Sequence, residues 1–208
     1  MTTILAITSS PSSQGSVTTA LVDQFVENWT RANSNTEVVA RNVASSHLPH
    51  LDESLIGAFY TPEDQRSDAQ KQELSLSDAI VDEAEAADVI VIGSPMHNFG
   101  ISSSLKAWID HLSRVGRTFA YTETGPQGML TNKKVFVLTA RGGNYAKSGT
   151  LAHLDQQEPY LRTVLGFMGM TDVTFIHAEG VASGTEGREA AEQQIERSVQ
   201  DAILSIAA

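Results

Sequence analysis

Cysteine is missing from all 208 residues, and long apolar runs and basic residues are scarce. Without a thiol the chain can form no disulfide, no thiolate metal site and no cysteine nucleophile. No apolar run approaches the roughly 20 residues that a membrane span needs, and segment 1–7 lacks the basic flank of a signal peptide. We therefore expect a cytoplasmic protein that does not associate with a membrane.

The chain is strongly acidic, with 14 Lys and Arg against 25 Asp and Glu and a formal net charge of -11. Such a chain repels a phosphate backbone, so nucleic acid is a poor partner, and nothing favours docking on an anionic membrane. Hydrophobic residues make up 41% of the sequence, which argues against disorder. The length predicts one domain over residues 1–208.

Four short apolar runs predict buried strands, because none of them alternates polar with apolar residues. These runs cover residues 4–8, 89–92, 135–139 and 173–176. A fifth run, 37–43, does alternate and predicts a less buried edge strand. Amphipathic helical patterns separate the five runs. Regular β-α alternation predicts an α/β fold, a doubly wound five-stranded parallel sheet of order 2-1-3-4-5 with helices on both faces.

Two segments are longer than this fold needs, and we expect them to be binding loops. Segment 44–66 contains the aromatic pair Phe59 and Tyr60. Segment 114–133 contains Phe119 and Tyr121 before a Gly-Pro turn, which predicts a small hairpin.

Ligands of such sheets bind beyond the carboxyl ends of the strands, where three loops are unusual. The first loop, residues 9–18, is rich in hydroxyls, has no Lys or Arg and leads into a helix. A helix N-terminus with hydroxyl donors suits a phosphomonoester, although Ser16 or Thr18 could simply cap the helix. The lysine of a P-loop and the G-x-G-x-x-G spacing are both absent, which favours a mononucleotide.

The second loop, residues 93–100, offers flat and polarisable side chains to an aromatic ring, with an amide for its polar edge. Its candidate ring contacts are Pro95, Met96, His97, Asn98 and Phe99. The third loop, residues 139–145, contains Gly142 and Gly143, which let the main chain approach a flat ligand. Either loop by itself could be an ordinary packed turn. The three together at one edge of the sheet reinforce each other.

Four motifs closely resemble the FMN-dependent NADH azoreductases, also called FMN-dependent NADH:quinone oxidoreductases, over essentially the whole chain. The motifs are SPMHNFGISSSLK at 94–106, TFAYTETGPQG at 118–128, LTARGG at 138–143 and LGFMGMTDV at 165–173. The resemblance implies a flavodoxin-like homodimer with one FMN per subunit. The family often has Tyr where His97 stands and Ser where Ala140 stands, so both positions depart from its pattern.

The resemblance also implies where FMN is held. The phosphate belongs to the first loop and the ring to the other two, through Ser10, Ser16, Val17, Thr18, Pro95, Met96, His97, Asn98, Phe99, Ala140, Arg141, Gly142 and Gly143. The hairpin aromatics Phe119 and Tyr121 would wall the pocket across the dimer interface. Phe59 and Tyr60 are further candidates for the substrate pocket, but we expect their segment to vary within the family, so the resemblance does not imply a substrate range.

The function that follows is FMN-dependent reduction of quinones to hydroquinones and of azo compounds to amines. We expect ping-pong turnover, in which NADH delivers two electrons as a hydride to the flavin N5. No catalytic side chain and no metal ligand is assigned. Arg141 is the only basic residue of the three loops, so NADH is favoured over NADPH. A one-electron flavodoxin-type carrier, a non-flavin binding module, and a related NAD(P)H:FMN or chromate reductase stay open as alternatives.

Overall fold

The computed structural model describes residues 1–207, with side chains through Leu204. Five parallel strands form the central sheet, and a separate antiparallel pair forms a hairpin. The strands of the central sheet are β1 (Thr2–Thr8), β2 (Thr36–Asn42), β3 (Val89–Pro95), β6 (Lys134–Ala140) and β7 (Asp172–Ala178); the hairpin strands are β4 (Phe119–Thr122) and β5 (Gly125–Gly128). The order β2-β1-β3-β6-β7 is the predicted order 2-1-3-4-5, which is therefore confirmed.

Helices cover both faces of the sheet. They are α1 (Val17–Ala32), α2 (Glu53–Tyr60), α3 (Asp68–Ala86), α4 (Ser103–Leu112), α5 (Gln157–Phe167) and α6 (Glu186–Ala207). Successive strand side chains point to opposite faces. Leu5 and Ile7 accordingly join a core under α3, α4 and α5, whereas Ile4 and Ala6 join one under α1 and α6.

The two edge strands differ in how well the sequence predicts them. The alternating run at 37–43 does form an edge strand, β2, with most side chains partly or fully exposed. Strand β7 was predicted to be buried on both faces, and this is wrong for its first half. It lies at the other edge of the sheet, where Asp172 is exposed and Val173 and Thr174 are only partly buried.

The two long segments take up distinct structures. Segment 44–66 includes helix α2, which packs its buried side chains Leu55 and Phe59 on Leu74 of α3, so it is not an irregular loop. The side chain of Asp52 accepts from the N–H of Leu55 and so caps α2. The predicted hairpin is confirmed as the pair β4 and β5.

The three loops predicted to bind a ligand and the hairpin lie at opposite ends of the strands. The loops lie at the carboxyl edge of the sheet, and the hairpin lies at its amino edge. The three loops follow the carboxyl ends of β1, β3 and β6. The hairpin instead precedes the amino end of β6, and the N–H of Leu130 beyond it donates to the carbonyl of Met168 at the end of α5. Seven residues of β6 separate the two edges, which corresponds to roughly 20 Å. Of the helices within residues 1–207, none has the length and hydropathy to cross a membrane.

Candidate functional site

The three loops meet at the carboxyl edge of the sheet. The hydroxyl of Ser9 donates to the carbonyl of Gly93 at 2.7 Å, which ties the first loop to the second. The N–H of Met96 donates to the carbonyl of Ala140 at 2.9 Å, which ties the second loop to the third. The parallel register explains this meeting, because β3 pairs with both β1 and β6.

The first loop presents backbone donors at the start of α1. The side chain of Ser16 accepts from the N–H of Thr19 at 3.2 Å, so Ser16 is the N-cap. The N–H groups of Val17 and Thr18 belong to the first turn and have no partner within the helix. That turn holds no acidic residue. The cap therefore does not use up the N–H groups that an anion would need. These free N–H groups and the helix macrodipole both favour a negatively charged group at this turn. Ser10 lies at the entrance to this turn, where its hydroxyl accepts from Ser12.

Gly93 allows α1 to approach the sheet closely, a role that the sequence analysis missed. A Cβ at this position would lie 2.8 Å from Cγ2 of Val22 and 3.2 Å from the carbonyl of Thr18. Only glycine leaves the first turn of α1 where it stands. The available sequence signal was a glycine at the end of a continuous apolar strand, a position that often marks close backbone approach.

The second loop ends in a tight turn with unusual backbone conformations. Asn98 and Phe99 have φ values of 48° and 68°, and the N–H groups of His97 and Gly100 each donate to the other's carbonyl at 3.0 Å. Positive φ is uncommon for a bulky residue such as Phe and stores strain of about 1–3 kcal/mol. The turn exposes 46% of Phe99 and also exposes His97 and Asn98. Pro95 and Met96, behind them, are partly buried.

In the third loop the unpaired backbone donors belong to the two glycines and not to Arg141. The N–H of Arg141 donates to Ala178 at 2.9 Å, and its side chain is 1% exposed. The carbonyls of Gly142 and Gly143 accept from residues 182 and 180. Among the described residues no acceptor pairs with the N–H groups of these two glycines, which leaves both available.

The Arg141 guanidinium is held in a buried polar network below the loops. It lies 3.1 Å from carboxylate oxygens of both Asp155 and Glu179, and its Nε donates to the side chain of Gln157 at 3.1 Å. The sequence analysis singled out none of these three partners, because an acidic or amide side chain in a loop or helix start is normally a solvated one.

A second, partly buried chain of hydrogen bonds runs from β6 to α5. The imidazole Nδ1 of His177 lies 2.8 Å from Oγ1 of Thr139, and Nε2 lies 2.9 Å from Oε2 of Glu158. Burial, and next the charge of Arg141, lower the pKa of His177 below its ordinary value. Burial raises the pKa of Glu158, but the hydrogen bond from Arg162 and the charge of His177 outweigh it and lower that pKa. These groups border a cavity of about 600 Å³ beside the third loop.

The four aromatics predicted for the substrate pocket do not reach the three loops of their own chain. They gather near the segment between α4 and β4. Phe119 is buried against Phe167, with ring centres 4.6 Å apart, while Tyr121 is 67% exposed. Phe59 lies under the guanidinium of Arg114, 4.7 Å away. With the exposed Tyr60 these two residues line a separate cavity of about 330 Å³.

The donor set at the carboxyl edge fits a phosphorylated flat ring such as FMN. Free N–H groups at α1 suit the phosphomonoester, and the free N–H groups of Gly142 and Gly143 suit the oxygens and nitrogens of a ring edge. Exposed Phe99 and Asn98 offer the ring an apolar face and an amide. Within residues 1–207 no group of three or more His, Asp or Glu side chains could hold a metal ion.

Comparison with known proteins gives a consistent picture. A protein family described as flavodoxin-like fold matches residues 2–202. The FMN-dependent NADH:quinone oxidoreductase 6 of Burkholderia lata is 51% identical over 191 residues, which is 92% of this chain and 94% of the relative. An FMN-dependent NADH:quinone oxidoreductase of Azotobacter vinelandii is 50% identical over 184 residues, 88% of this chain and 90% of the relative.

Solved structures agree with the sequence relatives. The azoreductase from Bacillus anthracis strain Sterne superposes with a TM-score of 0.88 at 25% identity, covering 97% of this chain and 100% of the other. An FMN-dependent NADH-azoreductase from Bacillus anthracis, solved in complex with FMN, gives a TM-score of 0.87 at 25% identity and covers 97% and 99%.

Proposed function

The chain belongs to the flavodoxin-like-fold family that contains the FMN-dependent NADH:quinone oxidoreductases, and we propose that it is such an enzyme. It binds FMN and uses NADH to reduce quinones to hydroquinones and azo compounds to amines. One observation supports this most strongly. Unpaired backbone donors at α1 and at Gly142 and Gly143 flank a strained, exposed turn at a single edge of the sheet. The proposal includes a cytoplasmic location, where metabolism supplies reduced nicotinamide.

The residues of the site have separate tasks. The N–H groups of Val17 and Thr18, with the hydroxyls of Ser10 and Ser16, hold the phosphate. Met96, Asn98 and Phe99 support one side of the ring, while the N–H groups of Gly142 and Gly143 bind its polar edge. When bound, FMN accepts a hydride from NADH and passes two electrons to the acceptor.

Side chains near the ring shape the site rather than transfer protons in this scheme. Arg141 keeps its guanidinium in the buried network, so its contribution is to fix the loop backbone. His97 is exposed in the turn and offers the ring a flat surface at a position where the family resemblance implies tyrosine. Ala140 provides no hydroxyl, and its carbonyl is used by Met96.

A second subunit completes the acceptor pocket in this proposal. Phe119 and Tyr121 lie at the amino edge, roughly 20 Å from the three loops of their own chain. Tyr121 is 67% exposed on this short hairpin, so its ring is free to contact another subunit. A homodimer that places the hairpin of one subunit over the loops of the other accounts for both features. Phe59 and Tyr60 share a cavity with residues 114–117, just ahead of the hairpin, and extend that wall.

The nicotinamide preference follows from the charges at the loops. A 2′-phosphate needs a free basic group, and Arg141 is already paired with two carboxylates. NADH is therefore the proposed donor.

The decisive experiment is a two-stage spectrum of the purified protein with FMN under anaerobic conditions. We expect NADH to bleach the bound flavin rapidly, and benzoquinone or an azo dye to restore its colour. Bound flavin that NADH leaves oxidised would instead indicate a one-electron carrier. Absence of flavin binding would overturn the assignment of all three loops.

A further inference from the structure

Gln157 is a buried amide whose nitrogen and oxygen both have hydrogen-bond partners. It is the first residue of α5 and has 0% exposure. Its Nε2 donates to the carbonyl of Ser94 at 2.9 Å and contacts the Ser94 hydroxyl at 3.1 Å. Its Oε1 accepts from Nε of Arg141 at 3.1 Å. Glutamine is rarely buried this completely, so the position calls for a physical reason.

The two partners of Gln157 belong to different loops of the site. Ser94 immediately precedes Pro95 in the second loop, and Arg141 immediately precedes Gly142 in the third. The side chain of Gln157 is therefore a bridge between the two loops that would hold the two sides of a flat ring.

The Arg141 end of this bridge is itself rigid. Its guanidinium pairs with Asp155, whose other oxygen accepts from the N–H of Gln157 at 2.8 Å. It also pairs with Glu179, whose second oxygen accepts from the N–H of Tyr145 at 2.9 Å. The start of α5, the end of β7 and the third loop are thus fixed to one buried cation.

We propose that Gln157 is a positioning residue for the flavin, which sets the spacing and register of the second and third loops. This inference rests on the proposed function. Without the amide, Arg141 Nε would be buried without an acceptor and Ser94 would lose both contacts with Nε2, so the loops would shift to recover partners. Sub-ångström shifts of the Gly142 and Gly143 donors would weaken their bonds to the ring. Reduction makes the ring richer in electrons, so hydrogen bonds from these donors should matter more to reduced FMN. The affinity of the variant should therefore fall more for reduced FMN than for oxidised FMN.

The test compares Gln157→Met, an unbranched apolar replacement, with Gln72→Met, the same change at an exposed position on α3. FMN is titrated into each apoprotein by fluorescence quenching, and the midpoint potential of bound FMN is measured spectroelectrochemically. We expect Gln157→Met to weaken FMN binding about tenfold. A further tenfold loss specific to reduced FMN would lower the two-electron potential by about 30 mV. Gln72→Met should match the wild type in both measurements.

A second variant keeps the test decisive if Gln157→Met does not fold. Gln157→Glu retains an acceptor for Arg141 but cannot donate to the Ser94 carbonyl, so its FMN affinity should fall below that of the wild type. Wild-type affinity and potential in the folded variants, even with a lower melting temperature, would overturn the proposal and leave Gln157 a purely structural residue. Failure of the wild type to bind FMN overturns the proposed function as well, and it is seen before any variant is compared.

Discussion

The turn at Asn98 and Phe99 concentrates strain in two residues of the second loop. Both have positive φ, and Phe99 has no glycine-like freedom to adopt it. The mutual hydrogen bonds between His97 and Gly100 hold the turn closed. Strain of this kind persists where the surrounding structure fixes it, and it clusters at ligand sites.

Replacing Phe99 with glycine should therefore separate stability from function. We expect Phe99→Gly to raise the free energy of unfolding of the apoprotein by about 1 kcal/mol, because the strain is relieved. The same change should lower turnover, because the apolar surface beside the ring is lost. Urea denaturation and steady-state kinetics measure the two effects. A variant that is both less stable and fully active would contradict this account of the turn.

Gly93 sets how closely the first turn of α1, which is the proposed phosphate site, approaches the sheet. In Gly93→Ala the new Cβ would press on the stiff side chain of Val22 and on the Thr18 carbonyl. We expect a loss of about 1–3 kcal/mol in unfolding free energy from overpacking, together with about tenfold weaker FMN binding as α1 moves.

The matched control for this prediction is Gly57→Ala in α2. Nothing lies within 4 Å of a Cβ there, and alanine favours a helix interior, so stability should rise by about 0.5–1 kcal/mol with FMN affinity unchanged. If both alanine variants bound FMN equally well, the close approach at Gly93 would have no role in the site.

Among the helices, α5 has the largest part in organising the carboxyl edge. Its first turn supplies Gln157 to the two ring loops and Glu158 to His177 of β7. Gly169 follows the C-cap of this helix, and there φ is 99° and the backbone of Gly128 packs too closely for a side chain. The same helix therefore connects the site at one edge with the hairpin at the other.

The burial of His177 should make stability depend on pH in a defined direction. Because the pKa of His177 is lowered in the folded protein, the unfolded chain takes up the proton first as the pH falls below about 6.5. Stability should then decline by at most about 1.4 kcal/mol per pH unit until the folded imidazole also titrates. The stabilisation from Glu158, whose pKa is lowered, is lost only as the pH falls below its ordinary value of 4.5.

Unfolding free energies at pH 7.5, 6.5 and 5.5 measure this effect. His177→Gln keeps a polar side chain but cannot titrate, so its stability should fall less than that of the wild type between pH 6.5 and 5.5. His153→Gln replaces an exposed histidine and should follow the wild type. Parallel curves for the wild type and His177→Gln would show that this buried imidazole is not the titrating group.

On the scale of the whole molecule, the distance between the two sheet edges decides how an acceptor pocket can form. Within one chain, the three loops of the candidate site and the hairpin aromatics lie at opposite ends of β6. In two chains that lie antiparallel, the hairpin of each chain meets the three loops of the other, which forms two equivalent pockets. This is the twofold symmetry expected of a homodimer.

The corresponding prediction concerns mass and kinetics. In solution the protein should have about twice its chain mass of 22.4 kDa. Tyr121→Ala should raise the KM for a quinone about tenfold while leaving FMN affinity unchanged, because the proposed shared pocket places Tyr121 against the acceptor and not the cofactor. Glu123→Ala, at the exposed turn of the same hairpin, is the control. A fully active monomer would refute the shared pocket. Light scattering and steady-state kinetics give both readouts.

The sequence alone determined the sheet order and the position of the three loops. Continuous apolar runs identify strands because both faces of a parallel sheet are buried, and right-handed crossovers leave few ways to connect them. The assignment of residues such as Ser16, Met96, Asn98 and Gly142 to FMN binding stays a prediction, as does one domain over residues 1–208.

Only the tertiary structure decided which polar groups are buried and paired. Gln157, His177 and Glu179 have side chains that are usually solvated, and nothing in their spacing reveals that β6, β7 and α5 enclose them around Arg141. Likewise, a hairpin motif does not reveal at which edge of the sheet it lies. Hydrophobic periodicity is a local property that neighbouring residues carry, whereas burial of an amide or a cation depends on contacts between residues far apart in the chain.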